Sequence, residues 1–380
     1  MNKKIIYLDN ASTTKIYPEV LNSYNEVCDK FFGNCSSIHG LGVKSSTLLA
    51  KSREQILKSL KLNDYDLVFT SGATEANNLA LKGYCKQYKN RGKHIIVSRI
   101  EHPSILETAK QLEAMEGFEV TYLSVNSFGV IDLNDLKNAI RKDTILVSIM
   151  AVNNEVGSIN DIHEISKIVR KYPKIAFHCD AVQSLGKIDI DYNDCDLITI
   201  TSHKIHGPLG IGALVMKKRI SLTAEICGGG QEDGLRSGTS NLPGAVAFAK
   251  AVRIAQEKIV ERFEQVSKVA IPLHKYVMES KDLYEINSFG HLNPYIINFS
   301  LKNKKASVVV EALSNQNIIV SSISACHSKG EKASYVVMEM GKDEWISHNT
   351  LRISLSEENT VEEMLTFINA LIKIVGEIRS

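Results

Sequence analysis

The 380-residue sequence holds a single tryptophan and only 7 prolines, and it has almost no charge imbalance: 45 Lys and Arg stand against 43 Asp and Glu, a formal net charge of +2. That balance argues against direct binding to nucleic acid or to an anionic membrane, both of which draw on excess positive charge. The 7 cysteines (Cys28, Cys35, Cys85, Cys179, Cys195, Cys227, Cys326) are odd in number and scattered, with no Cys-x-x-Cys pair. A disulfide framework and a cysteine zinc site are excluded as organising principles. Apolar runs such as Gly212-Ala213-Leu214-Val215-Met216 fall far short of the roughly 20 residues that cross a bilayer. The opening stretch from Met1 to Asp9 has too few apolar residues for a signal-peptide core, so the expectation is a cytoplasmic protein with reduced thiols. What is present is ordinary globular composition, 44% hydrophobic and 23% charged, enough for one large domain or two usual ones.

From about residue 65, short β-branched runs alternate with amphipathic stretches. Strands are expected at Leu67–Thr70, Ile95–Ser98, Val120–Val125, Ile145–Met150, Ile175–Cys179, Leu197–Thr201 and Ile211–Met216. Helices are expected at Thr74–Tyr84, Pro103–Met115, Leu133–Ile140 and Ile162–Val169. This is the rhythm of a mostly parallel sheet whose strands, buried on both faces, read as continuous apolar runs. A long helical pattern then runs from Ala245 towards Tyr276, as a strut between domains. Beyond it, strands at Tyr295–Leu301, Ile318–Ser322 and Leu351–Leu355, with helices at Ser307–Leu313 and Val361–Ile378, predict a smaller α+β domain. The polar stretch from Ser324 to Asn349, with one weak helical piece at Tyr335–Met340, reads as a mobile surface loop.

Three places carry chemistry. Thr70-Ser71-Gly72-Ala73-Thr74-Glu75 joins a predicted strand to a predicted helix. It could cradle a phosphate on free N–H groups and the helix dipole, or be an ordinary capped turn. Asp180, in His178-Cys179-Asp180, ends a buried strand, where ligands of open α/β sheets bind and where a carboxylate needs a partner; a structural cap is the alternative. Lys204, in Ser202-His203-Lys204, follows another apolar strand, plausibly on the same rim. An amine, a carboxylate and a phosphate cradle together fit pyridoxal phosphate, whose chemistry needs a Schiff-base amine, a protonated ring nitrogen and a bound phosphate.

The segments Tyr7-Leu8-Asp9-Asn10-Ala11-Ser12-Thr13-Thr14, Phe69 to Glu75, Val152-Asn153-Asn154-Glu155-Val156-Gly157, Ser202-His203-Lys204 and Gly228 to Thr239 closely resemble those of the cysteine desulfurases. The match runs from Tyr7 to about Thr360. The resemblance implies the fold type I of pyridoxal-phosphate transferases, aspartate-aminotransferase-like. Its parts would be a large, mostly parallel seven-stranded sheet domain (16–255), a small α+β C-terminal domain (256–380) and an N-terminal segment (1–15) packed on the small domain.

The resemblance also implies roles. Lys204 looks like the Schiff-base lysine, Asp180 the partner of the ring nitrogen, and His102 the imidazole stacked on the ring and handling protons. Gln183 and Asn154 lie near the ring's phenolic oxygen; Gly72, Ala73, Thr74, Thr201 and His203 bind the phosphate. Thr239 resembles a phosphate ligand given by a neighbouring subunit, which implies a homodimer with shared sites. Arg352 looks like the clamp for the substrate carboxylate, a task suited to a planar fork, with Asn34 also at the substrate. The family nucleophile lies in Ser-Gly-Ser-Ala-Cys; here Ser322-Ile323-Ser324-Ala325-Cys326 makes Cys326 the candidate, on a loop of about 323–345 with Lys329 and Lys332 nearby favouring a thiolate. Ile323 replaces the family glycine, Cys35 a proline and Leu209 a lysine.

The implied activity is removal of sulfur from L-cysteine, giving L-alanine and a persulfide on Cys326. An acceptor protein then collects the sulfur, either an iron-sulfur scaffold, slightly favoured, or a tRNA-thiolation enzyme. No metal is implied beyond a transient iron-sulfur ligand role for Cys326. A selenocysteine lyase, or another class V aminotransferase or lyase, would share Lys204, Asp180 and the cradle.

Overall fold

The computed structural model describes residues 4–288, 293–322 and 333–377. Its larger body is built on the seven-stranded sheet expected from the alternating runs. In space the strands run Tyr65–Thr70, Gly212–Lys217, Leu197–Thr201, Ala176–Asp180, Thr144–Ser148, His94–Ser98 and Glu119–Leu123. Only Gly212–Lys217 runs against its neighbours. The central strands are buried along their whole length, which is why they read as unbroken apolar runs rather than alternating ones. Because Tyr65–Thr70, Ala176–Asp180 and Leu197–Thr201 share one direction, Thr70, Asp180 and Thr201 end on a single rim.

Two helices that the sequence patterning did not mark, Pro18–Lys30 and Gly40–Ser59, pack with Leu242–Glu257 over one face of this sheet. Val20, Val27, Leu49 and Ile56 join the core there. Their apolar residues are sparse, and Ala245, Ala249 and Ala251 on the facing helix let the backbones approach. The single helix expected from Ala245 to Tyr276 is two, Leu242–Glu257 and Ile259–Glu279, parted at Lys258, whose φ of −128° leaves the helical region. The reason is geometric: Phe248 and Val252 serve the core of the sheet domain, whereas Val266, Val269 and Leu273 serve a second core.

That second core fills an antiparallel sheet in the order Ser321–Ser322, Thr350–Ser354, Ile296–Leu301, Tyr284–Ile286. Helices Ile259–Glu279, Ala306–Ser314 and Val361–Glu377 supply the rest. The N-terminal strand Ile6–Tyr7 pairs in parallel with Ile318–Ile319, and fully buried Leu8 belongs to the same core. No helix among the described residues is long and apolar enough to cross a membrane.

The expectation of a surface loop across 324–349 is overturned in its described part, apart from the helical piece expected at Tyr335–Met340. Residues 335–339 and 344–348 are helices, and Val336, Val337, Met340 and Ile346 are buried against Ile100 and Val156. The abundant Lys, Asp and Gly mask a short apolar face at helical spacing.

Leu8→Ala tests how far the N-terminal segment is integral to the second core. Truncating a fully buried leucine is expected to cost about 2–4 kcal/mol, read by urea denaturation; a loss below about 0.5 kcal/mol, the level of an uninvolved surface change, would contradict it.

Candidate active site

The common rim borders a cavity of about 730 Å³. At its base Asp180 is buried and accepts from Asn77 Nδ2 at 2.8 Å and from the Val182 N–H at 3.0 Å. No cation pairs with it at ion-pair distance among the described residues. A carboxyl group buried with two neutral donors suits a cationic N–H arriving from the cavity.

Lys204 lies in the tight turn that follows Leu197–Thr201, and its Nζ donates to the carbonyls of Ala11 and Ser12, each at 2.6 Å. The N-terminal segment therefore lies along this turn. Thr14 ties them further: its N–H and hydroxyl both donate to the His203 carbonyl, and its hydroxyl accepts from the His206 N–H at 2.7 Å. His206 is held there at φ +62°, a conformation costly for a residue with a Cβ.

Ser71 to Thr74 also line the cavity, leading into the Ala73–Asn78 helix, whose first N–H groups have no acceptor within the helix. A Cβ built on Gly72 would meet nothing within 4 Å, so the approach to this backbone is open. Glu75 holds the turn in shape: its carboxylate accepts from the Ser71 N–H at 2.8 Å and from Arg236 Nε at 2.9 Å. Burial pushes its pKa up, but the bonds from Arg236 and Ser71 outweigh this and hold it below the ordinary 4.5.

His102 caps the Pro103–Glu116 helix, with Nδ1 accepting from the Ser104 N–H at 3.1 Å. Burial lowers its pKa, Lys204 lowers it further and Asp180 opposes the shift. The ring is thus neutral at physiological pH, leaving it able to take a proton.

The small domain contributes Arg352, buried on the Thr350–Ser354 strand. Its guanidinium donates to the Asn154 carbonyl at 2.9 Å, to Asp9 at 2.9 Å and to the Ser12 hydroxyl at 2.6 Å. The turn bearing Asn154 is shaped by Asn153, whose Oδ1 accepts from the N–H groups of Glu155 and Val156. Asn293 and Asn298 hold it from the small domain through the carbonyls of Gly157 and Glu155. Asn154 Oδ1 is buried without a hydrogen-bond partner, on the cavity wall, the signature of a group awaiting a ligand.

Of the residues singled out in the sequence, Gly72, Ala73, Thr74, His102, Asn154, Asp180, Gln183, Thr201, His203, Lys204 and Arg352 all line this one cavity. Asn34 and Thr239 do not. Asn34 is exposed and accepts from the Ser36 N–H, and Thr239 is exposed on the Gly-rich loop. Cys326 and Ile323 lie outside the described residues. The sequence reading missed Asn77, which stands on the helix beginning in the cradle and reaches Asp180, and gave no role to Asp9, which holds Arg352. Both fall in or directly after the motifs quoted above, but only the fold shows their partners. The arrangement of amine, buried carboxylate, anion cradle and unpartnered amide fits pyridoxal phosphate.

Comparison with known proteins agrees. A family model described as aminotransferase class-V matches residues 6–367. A protein of Lactobacillus delbrueckii subsp. bulgaricus, described as a NifS/IcsS protein homolog, is 41% identical over 97% of this chain and 97% of its own. The cysteine desulfurase IscS of Proteus mirabilis is 40% identical over 98% of this chain and 93% of its own. A solved NifS-like protein superposes with a TM-score of 0.91 at 35% identity, covering 99% of this chain and 100% of that one.

Glu75→Ala would release both Ser71 and Arg236, with an expected loss of about 1–3 kcal/mol in unfolding free energy and faster amide exchange at both. Because the folded carboxyl sits below 4.5, this contribution is present above that pH and is lost as pH falls through the folded value. Wild type and variant should therefore converge in stability in acid; a gap that persists there would contradict the role.

Proposed function

The chain belongs to the class-V aminotransferase family, and on that premise we propose that it is a cysteine desulfurase using pyridoxal 5'-phosphate to take sulfur from L-cysteine. L-Alanine is the product, and the sulfur remains as a persulfide on Cys326. The observation that carries this is the meeting of Lys204, Asp180, the Ser71–Thr74 cradle and Arg352 on one cavity. The relatives named as cysteine desulfurases over nearly the full chain support it.

Bound pyridoxal phosphate supplies an electron sink for an amino acid's α-carbon. Asp180 would hold a protonated ring nitrogen, Gly72, Ala73, Thr74, Thr201 and His203 would hold the phosphate, and Asn154 and Gln183 would stand by the ring oxygen. His203 is brought down to about 4 by burial and by Lys204 and Lys187, so it acts as a neutral hydrogen-bonding group. Arg352 holds the substrate carboxylate in a planar fork; Asp9 and Ser12 set its orientation in advance, so little freedom is lost when substrate binds. The Lys204 amine moves the α-proton. The Cys326 thiolate forms an S–S bond with the substrate sulfur as the C–Sγ bond breaks. The bonding pair stays on carbon, which is protonated to the methyl of alanine, with His102 placed to handle protons.

A homodimer completes the site in this reading. Thr239, exposed and outside its own chain's cavity, is free to serve a neighbour's. Phe32 and Ile38, 73% and 98% exposed, are apolar side chains on a nearby segment that association would cover. The sulfur passes to an acceptor protein, an iron-sulfur scaffold or a tRNA-thiolation enzyme, in the cytoplasm.

Cys326→Ala should keep the yellow colour of the bound cofactor while losing cysteine-dependent release of alanine and sulfide; undiminished turnover would sink the assignment. Mass spectrometry of the wild type after cysteine treatment should find the added sulfur on Cys326 and no other cysteine. Lys204→Ala should lower turnover at least about a hundredfold. Ile38→Asp should yield a monomer with weakened cofactor binding by sedimentation and absorbance, and an unchanged dimer would remove the shared-site reading.

A further inference from the structure

Lys187 belongs to none of the roles above, and its placement is unusual. It lies in the turns that follow the Asp180 strand, 7% exposed, with Nζ donating to Gln183 Oε1 at 3.0 Å. No carboxylate stands within ion-pair distance of it among the described residues. The groups around it are basic: Lys204, Arg352, His203 and His206, with Glu357 and Arg262 lining the same small secondary cavity. Burial first, then Lys204 and Arg352, bring its ammonium down to about 7. A buried cation beside two others, Lys204 and Arg352, opposes stability, so its contribution lies in what it touches.

It touches one end of an amide whose other end is also spoken for. Gln183 Nε2 donates to the Ala11 carbonyl at 3.0 Å, the same oxygen that receives Lys204 Nζ at 2.6 Å. A carboxamide can present either its oxygen or its NH2 group. While Lys187 is protonated its ammonium only donates, and a carbonyl only accepts, so Lys187 and Ala11 together then permit one orientation. We propose that Lys187 is a positioning residue that turns the Gln183 oxygen away from the reaction cavity, so that the NH2 group is the end offered to the cofactor's ring oxygen. This rests on the pyridoxal phosphate reading of the site.

The first test uses cofactor-free protein labelled with 15N-glutamine, with the Gln183 side-chain resonance identified by its loss in Gln183→Glu. Wild type should show that resonance titrating near neutral pH. Lys187→Met, which removes a buried charge and keeps the fold, should move it and abolish the titration; Lys187→Arg, a donor at every pH, should hold it near the acid position of the wild type. The second test uses the loaded enzyme: Lys187→Met should shift the absorbance maximum of bound cofactor and lower kcat/KM about tenfold, through kcat more than KM, with Lys187→Arg restoring most of it. A Gln183 resonance indifferent to Lys187→Met, or Lys187→Arg behaving as Lys187→Met does, overturns the proposal. Failure of the wild type to bind pyridoxal phosphate would instead overturn the functional reading, which the cofactor-free measurement separates.

Discussion

Asp180 is a carboxylate at the end of a strand buried along its whole length, satisfied by an amide and a backbone N–H but, among the described residues, by no cation at ion-pair distance. Such a group is costly to bury, and much of the sheet domain is arranged to hold it. Asn77 reaches it from the helix that begins in the anion cradle, so the carboxylate and the cradle are set by the same element. Ser104, which shares Asn77 Nδ2 at 2.8 Å, stands two residues from His102 and bonds its ring. One polar cluster thereby fixes the relative placement of carboxylate, imidazole and phosphate wall.

The other half of the site depends on the two cores being stitched together. The segment from Asp9 to Thr14, whose Ala11 still belongs to the second core, passes across the Lys204 turn and offers the carbonyls of Ala11 and Ser12 to the lysine. It also offers Asp9 and Ser12 to Arg352, so the candidate Schiff-base lysine and the candidate clamp for a substrate carboxylate share one scaffold. The Asn154 turn adds a second seam, since Arg352, Asn293 and Asn298 all bond its backbone from the small domain. Tyr335 adds a third, donating to the Glu101 carbonyl beside His102 at 2.7 Å, and Ser334 donates to Glu155. Glu101 and Glu155 are both fully enclosed, and burial raises them to about 8 and about 7; these two carboxyls are neutral or partly so at the seam.

The sheet strands were legible because burial on both faces demands continuous apolar runs, and the cradle, Asp180 and Lys204 stand at or next to strand ends where the chain must turn. The helices at 18–30 and 40–59 were not, because small alanines on their partner let sparse apolar residues suffice. The helix at 335–339 showed as a weak helical piece, but the one at 344–348 was hidden by polar residues that face outward. The strut was misread as one helix because periodicity reports that a face is buried, not against which core.

Strand order aside, then, the residue types and their spacing determined by themselves the mostly parallel sheet and the family, and singled out the cradle, the lysine and the aspartate. Tertiary structure alone decided which of them share a cavity, that Asn34 and Thr239 stay outside their own chain's cavity, that Asp9 orients Arg352, and that Lys187 faces Gln183. The reason is physical: chain-local patterns record burial and turn chemistry over a few residues, whereas a hydrogen bond between residues such as Asp9 and Arg352 exists only after two cores have packed and brought them together.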